Sequence, residues 1–146
     1  MRCIAALRRG TARILSSLTL LWSVAAASGE SLIAHPDVDV RSLSKNEARL
    51  LLSMRLNQWP NGQQLRVFVL PDNHPLHERV VKGVLGLYPY QLRRAWDRQL
   101  FSGTGQAPVV VSTESELIDR VAKTPGALGY AESGTFDSSV REVEVR

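Results

Sequence analysis

Cysteine is nearly missing from this chain. Cys3 is the only one in 146 residues, so an intramolecular disulfide and a cysteine-based zinc site are both excluded. Histidine is scarce as well: His35, His74 and His77 complete the set. Acid is missing from the first stretch, where Arg2, Arg8, Arg9 and Arg13 all precede the first carboxylate, Glu30. A long apolar run is missing too. Ile14 to Ala27 covers 14 residues and is interrupted by Ser16, Ser17, Thr19 and Ser23, whereas a helix crossing a bilayer needs about 20. No G-x-S-x-G elbow and no phosphate-binding Walker loop occurs, so neither of these activated-nucleophile or nucleotide signatures is available. The chain reads as a non-enzyme with no cofactor.

What is present begins with an address. Basic residues followed by a short apolar stretch and then Ala25-Ala26-Ala27 have the layout of a signal peptide over residues 1–27, with an A-x-A site for cleavage after Ala27 and Gly29 as the next candidate. The mature domain is then 28–146, periplasmic, with no membrane span after cleavage. The formal charge of +4 and pI near 9.7 invite a nucleic-acid partner. That excess belongs to the leader: from residue 28 onward fourteen basic residues face fourteen acidic ones. No nucleic-acid binding is expected of a neutral mature chain.

Behind the leader, strand and helix signals alternate. Ser31 to His35 reads as a strand closed by Pro36. Ser44 with Glu47 forms a capping box, opening a helix whose apolar stripe is Ala48, Leu51, Leu52 and Leu56. Trp59-Pro60-Asn61-Gly62 is a turn, and Leu65 to Leu70 is an almost continuously apolar strand. Pro75 opens a second helix with Leu76, Val80, Val84 and Leu87 on one face and Gly86 as its stop. Pro89 opens a third, with Leu92, Ala95, Trp96 and Leu100 inward and Ser102-Gly103-Thr104-Gly105 ending it. Pro108 to Ser112 is a strand, and Thr113 with Glu116 repeats the capping box ahead of a fourth helix carrying Leu117, Ile118, Val121 and Ala122. Ala127 to Ala131 is a strand whose Gly129 marks a close backbone approach. Val140 to Val145 is a fifth strand. The expected fold class is α/β, a mostly parallel sheet flanked by helices.

Candidate chemistry concentrates in one loop. Asn73-His74-Pro75-Leu76-His77 leads into a helix N-terminus, where free amides and the helix dipole favour an anion. Asn73, His74 and His77 are therefore the expected ligand contacts. Zinc wants three or four convergent ligands, and this segment offers two histidines at most, so no metal is expected. Arg93, Arg94 and Arg98 lie off the apolar stripe of their helix, as a solvated or partner-facing side. Tyr88 and Tyr90 stand beside them, and Tyr and Arg are enriched at protein interfaces.

From Leu32 to Tyr130 the order of motifs resembles the second lobe of the substrate-binding proteins of phosphate-type ABC transporters. The matching features are Leu43-Ser44-Lys45-Asn46-Glu47 opening a helix, Trp59 in the turn after it, and a strand leading to a loop and a helix that ends at Val84-Leu85-Gly86. The last is Thr124-Pro125-Gly126-Ala127-Leu128-Gly129-Tyr130, similar to the family's Asn-Pro-Gly-Ala-Ile-Gly-Tyr ending. The resemblance implies a single lobe of a type 2 periplasmic-binding-protein-like fold, acting as a secreted, non-catalytic binding or accessory module for a small anion such as phosphate. It also places Leu70, His74, Pro75 and Leu76 where the family carries phosphate-holding Arg, Ser, Gly and Thr, so that ligating set is degraded. His77 falls where a further arginine often stands. The alternative is an interaction module that docks an envelope protein (a membrane sensor or a transporter) and takes no small ligand.

Overall fold

The computed structural model describes residues 29–103 and 105–146; the expected signal peptide over 1–27 lies outside the described residues. Six strands form one sheet: β1 (Glu30–Ala34), β2 (Ser42–Leu43), β3 (Arg66–Val69), β4 (Val109–Val110), β5 (Ala127–Glu132) and β6 (Arg141–Val145). Their order across the sheet is β2-β6-β1-β5-β3-β4. β1 runs antiparallel to both neighbours, β5 and β6, while the other three pairings are parallel. Five strands thus share one direction and β1 opposes them. The expected mostly parallel α/β sheet is what the chain forms.

The sheet interior follows from composition. Ile33, Ala34, Val69, Leu70, Leu128 and Ala131 are fully buried, as expected for strands covered on both faces. β5 shows which helix covers which face. A Cβ on Gly129 would stand 2.5 Å from Leu117 Cδ2 and 2.9 Å from Val121 Cγ2. Only glycine lets the helix α4 (Glu114–Lys123) come so close. Tyr130, one residue on, points to the opposite face, where it meets His77.

That second face is covered by α1 (Lys45–Leu52), by α2 (Pro75–Arg79) continuing into a π-helical stretch Val80–Leu85, and by α3 (Pro89–Phe101). α1 begins as its sequence requires: Ser44 Oγ accepts from the Glu47 amide at 3.2 Å, and the Glu47 carboxylate accepts from the Ser44 amide at 2.8 Å. The Ser44 hydroxyl and amide hold the Glu47 carboxyl below its usual range. At α4, Thr113 Oγ1 accepts from the Glu116 amide, but the Glu116 carboxylate takes the Ser112 amide instead of that of Thr113.

Four expectations need correction. α1 stops at Leu52, not near Leu56, because Met54 turns left-handed at φ 58°. The amides of Arg55 and Leu56 then both fold back on the Leu50 carbonyl, and Leu56 is exposed. The second helix buries Leu76 and Val80 as expected but not the rest of the stripe. Its π turns bring Val81 and Leu85 into the core and leave Val84 and Leu87 partly buried, since an i to i+5 ladder rotates the face that a 3.6-residue period predicts. Leu100, in the last turn of α3, is exposed. Finally, the five expected strands become six: the short β2 adds beside β6 through Ser42–Glu144 and Leu43–Val145, placing the C-terminal strand inside the sheet.

Candidate functional site

The loop Leu70 to His74 leaves the C-terminal end of β3, the side of a parallel sheet where open α/β folds collect ligands. Its side chains are held by a chain of contacts from the core outward. Tyr130, buried on β5, accepts from the Leu70 amide at 2.8 Å. Its hydroxyl hydrogen is then free to point at His77 Nδ1, 2.5 Å away. With the phenol donating, the imidazole accepts at Nδ1 and carries its hydrogen on Nε2. Nε2 has no hydrogen-bond partner; the nearest carboxylate oxygen, Asp72 Oδ1, is 3.8 Å off. Asp72 itself faces outward to Arg93 on α3, in a two-pronged pair with Nε to Oδ2 at 3.0 Å and Nη2 to Oδ1 at 2.8 Å. The Arg93 guanidinium in turn lies 5.0 Å from the centre of the Trp96 ring.

Electrostatics follow this layering. His77 is 0% exposed, and burial pushes its pKa below the ordinary histidine range, against the pull of Asp72 and with the help of Arg93. It is a neutral imidazole at physiological pH. Burial also raises the Tyr130 phenol above its normal range, so it keeps its proton. Hydrogen bonding to Asp72 raises Arg93, which leaves it a permanent cation.

The three expected ligand contacts are dispersed by this arrangement. Asn73 is exposed. His74 is half-buried and caps α2, its Nδ1 accepting from the Leu76 amide at 3.2 Å. Pro75 at the first helical position supplies no N–H. His77 turns inward, with its polar atoms facing Tyr130 and Asp72. The loop therefore presents Asn73 and the edge of His74 to solvent, with His77 as the buried support beneath them. Among the described residues, no three His, Cys, Asp or Glu converge as a metal-ligating group, and no helix is long and apolar enough to cross a membrane.

Beside the loop opens a shallow cavity of about 710 Å³, lined by Asp72, Lys82, Tyr88, Tyr90, Arg93 and Arg94. Tyr88 and Tyr90 are 56% and 59% exposed. Their rings stack at 5.9 Å and 17°, and Arg94 lies 6.0 Å from the Tyr90 ring. Sequence reasoning singled out Tyr88, Tyr90, Arg93 and Arg94 but missed Asp72 and Tyr130, which join the loop to the core. The signal was there for Tyr130: a phenol in an otherwise apolar strand needs a hydrogen-bond partner. Nothing local marked Asp72, whose partner lies 21 residues on.

With this geometry the fold can be compared with solved structures. An ABC-type phosphate transport receptor from Vibrio cholerae matches with a TM-score of 0.62 at 14% identity, over 81% of this chain and 46% of that one. A protein from Clostridium perfringens, described as a phosphate ABC transporter substrate-binding protein and solved with bound phosphate, matches at 0.62 and 18%, over 81% and 45%. PstS from Borrelia burgdorferi matches at 0.63 and 13%, over 82% and 47%. No family model and no curated protein sequence matches the chain. The likeness is one of fold: this α/β domain is shaped like about half of each of these phosphate receptors. The chain spans about half the length of those it matches.

Proposed function

We propose that this protein is a secreted, non-catalytic binding module whose ligand-facing edge is the loop Asn73 to His77. The observation that carries this reading is the fold: a single lobe of the kind found in phosphate receptors, with that loop at the carboxyl end of β3. The position argues for binding, since crevices beyond the strand ends of open sheets take ligands. The side chains argue for a changed specificity. Leu70, Pro75 and Leu76 offer no side-chain donor to an oxyanion, which leaves Asn73 and His74 as the polar contacts. A second lobe, from a dimer mate or a partner, would close the cleft over them. Export to the periplasm by a cleaved leader over 1–27 belongs to the same reading.

The test is a melting series on the mature chain with phosphate, sulfate, molybdate and organic anions. A ligand at one hundred times its dissociation constant should add about 2.7 kcal/mol of stability, and Asn73→Ala with His74→Ala should abolish that gain. A flat response to every anion, in a protein that melts cooperatively, would overturn the ligand-binding reading. One observation favours a second reading: the exposed, stacked Tyr88 and Tyr90 beside Arg93 and Arg94. They suit an envelope-protein partner. In that case cross-linking to the partner is lost in Tyr88→Ala/Tyr90→Ala and untouched by anions.

A further inference from the structure

Charge is arranged differently between α1 and α3. These helices flank a groove of about 230 Å³ whose walls carry Arg49, Arg55 and Arg98, with the polar side chains of Asn46, Gln91 and Ser53. No carboxylate lines it. That is uneven in a chain whose charges balance beyond the leader. Arg79, Arg93, Arg120, Arg141 and Arg146 each lie within ion-pair distance of Asp or Glu. Among the described residues, the side chains of Arg55 and Arg98 have no ion pair and no hydrogen bond; Arg41, Arg66 and Arg94 also lack an ion pair, but only in this groove do three arginines meet with no carboxylate.

The groove is also prepared by the backbone. Arg49 Nε donates to the Leu85 carbonyl at 2.6 Å, at the negative end of the π-helical turn. This anchors the guanidinium stem and leaves its outer nitrogens unused. Gly86 follows in a left-handed conformation at φ 63°. A Cβ there would stand 3.0 Å from Lys45 Nζ and 3.1 Å from Arg49 Nη2. Glycine therefore leaves room for the Arg49 guanidinium over this turn; Lys45 stands beside it but lines the neighbouring cavity with Glu30, Glu142 and Glu144. Like charges gathered without a counter-charge repel, and a bound anion turns that cost into binding. Guanidinium forks match oxyanions through paired N–H bonds. Three guanidiniums exceed what one carboxylate neutralises, which favours a doubly charged tetrahedral group.

We propose that the α1–α3 groove is a phosphate-binding site, built from Arg49, Arg55 and Arg98 and taking either free phosphate or a phosphate headgroup. It is distinct from the Asn73–His77 loop. Arg93, which serves that loop, and Arg98 are five residues apart on α3, so they project about 140° from one another around its axis.

The experiment titrates the mature chain with inorganic phosphate at low ionic strength, reading amide chemical shifts. Parallel samples are sedimented with vesicles of phosphatidylcholine alone or mixed with phosphatidylglycerol. Arg55→Gln/Arg98→Gln is compared with Asn73→Ala/His74→Ala, each checked for a cooperative melt well above the titration temperature, since His74→Ala also removes the α2 cap. The expected result is saturable binding that perturbs Asn46, Arg49 and Gln91, weakens at least tenfold in the arginine variant, and is unchanged in the loop variant. Binding to phosphatidylglycerol vesicles but not to free phosphate, lost in the arginine variant, assigns the headgroup as the source. No binding in either arm overturns the proposal, as does binding that survives Arg55→Gln/Arg98→Gln. Binding lost only in the loop variant overturns it too, while supporting the function proposed above.

Discussion

Two arginine-bearing regions of this molecule sit on one helix and behave oppositely. At the start of α3, Arg93 has its counter-charge within the fold: it pairs with Asp72, lies over Trp96, and ends a line of contacts running through His77 to Tyr130. Further along, Arg98 faces Arg49 and Arg55 across a groove that holds no acid. The first arrangement fixes the loop after β3. The second leaves positive charge unspent. A cation whose partner is already in the fold positions structure, and one without a partner is available to a ligand.

The comparison can be broken from its structural end. Trp96 is buried, donates through Nε1 to the Leu52 carbonyl at 2.8 Å, and supports Arg93. Trp96→Ala should cost about 3–5 kcal/mol, read from urea denaturation. Tyr130→Phe should cost about 1–3 kcal/mol, because it leaves the Leu70 amide and His77 Nδ1 buried without partners. A loss near zero would mean the line of contacts does not hold the loop.

Acid probes the same line. The folded protein keeps His77 neutral, with a pKa below the 6.5 of an unperturbed histidine. As pH falls through 6.5 the unfolded chain takes up a proton that the folded chain refuses. The His77 contribution is therefore complete at neutral pH and above, and declines as pH drops below that value toward the folded pKa. Melting temperature should fall between about pH 7.5 and 5.5, and His77→Gln should flatten that slope. An equal slope in both proteins would assign the acid sensitivity elsewhere.

Smaller effects sharpen the contrast. Arg93→Ala should cost about 1 kcal/mol or less through its ion pair, which is part-exposed on both sides and screened by salt. Arg98→Ala should change stability by no more than about 0.5 kcal/mol, as for surface sites without partners. If Arg98→Ala proved as damaging as Tyr130→Phe, the groove would be scaffold and the contrast would collapse.

Much of the architecture was legible because it rests on local chemistry. The Ser44–Glu47 box, Pro75 and Pro89 at helix starts, and Gly129 as a place of close approach each declare themselves within a few residues. The errors share one origin. Leu56 and Leu100 fit a helical stripe by period, yet a left-handed Met54 and the last turn of α3 leave them exposed. The π turns of Val80–Leu85 rotated a face that periodicity alone could not place. The course of the chain was legible and side-chain orientation was not: Asn73 and His74 precede the second helix as read, but His77 turns into the core.

By itself the sequence determined the α/β class, most element boundaries and the loop that faces the strand ends, because hydrophobic period, caps and breakers act over one or two turns. Tertiary structure alone decided that Asp72 meets Arg93, that Tyr130 holds His77, that the C-terminal strand lies within the sheet, and that three arginines share an acid-free groove. Those outcomes depend on which distant segments pack together, and burial and charge compensation are set only there.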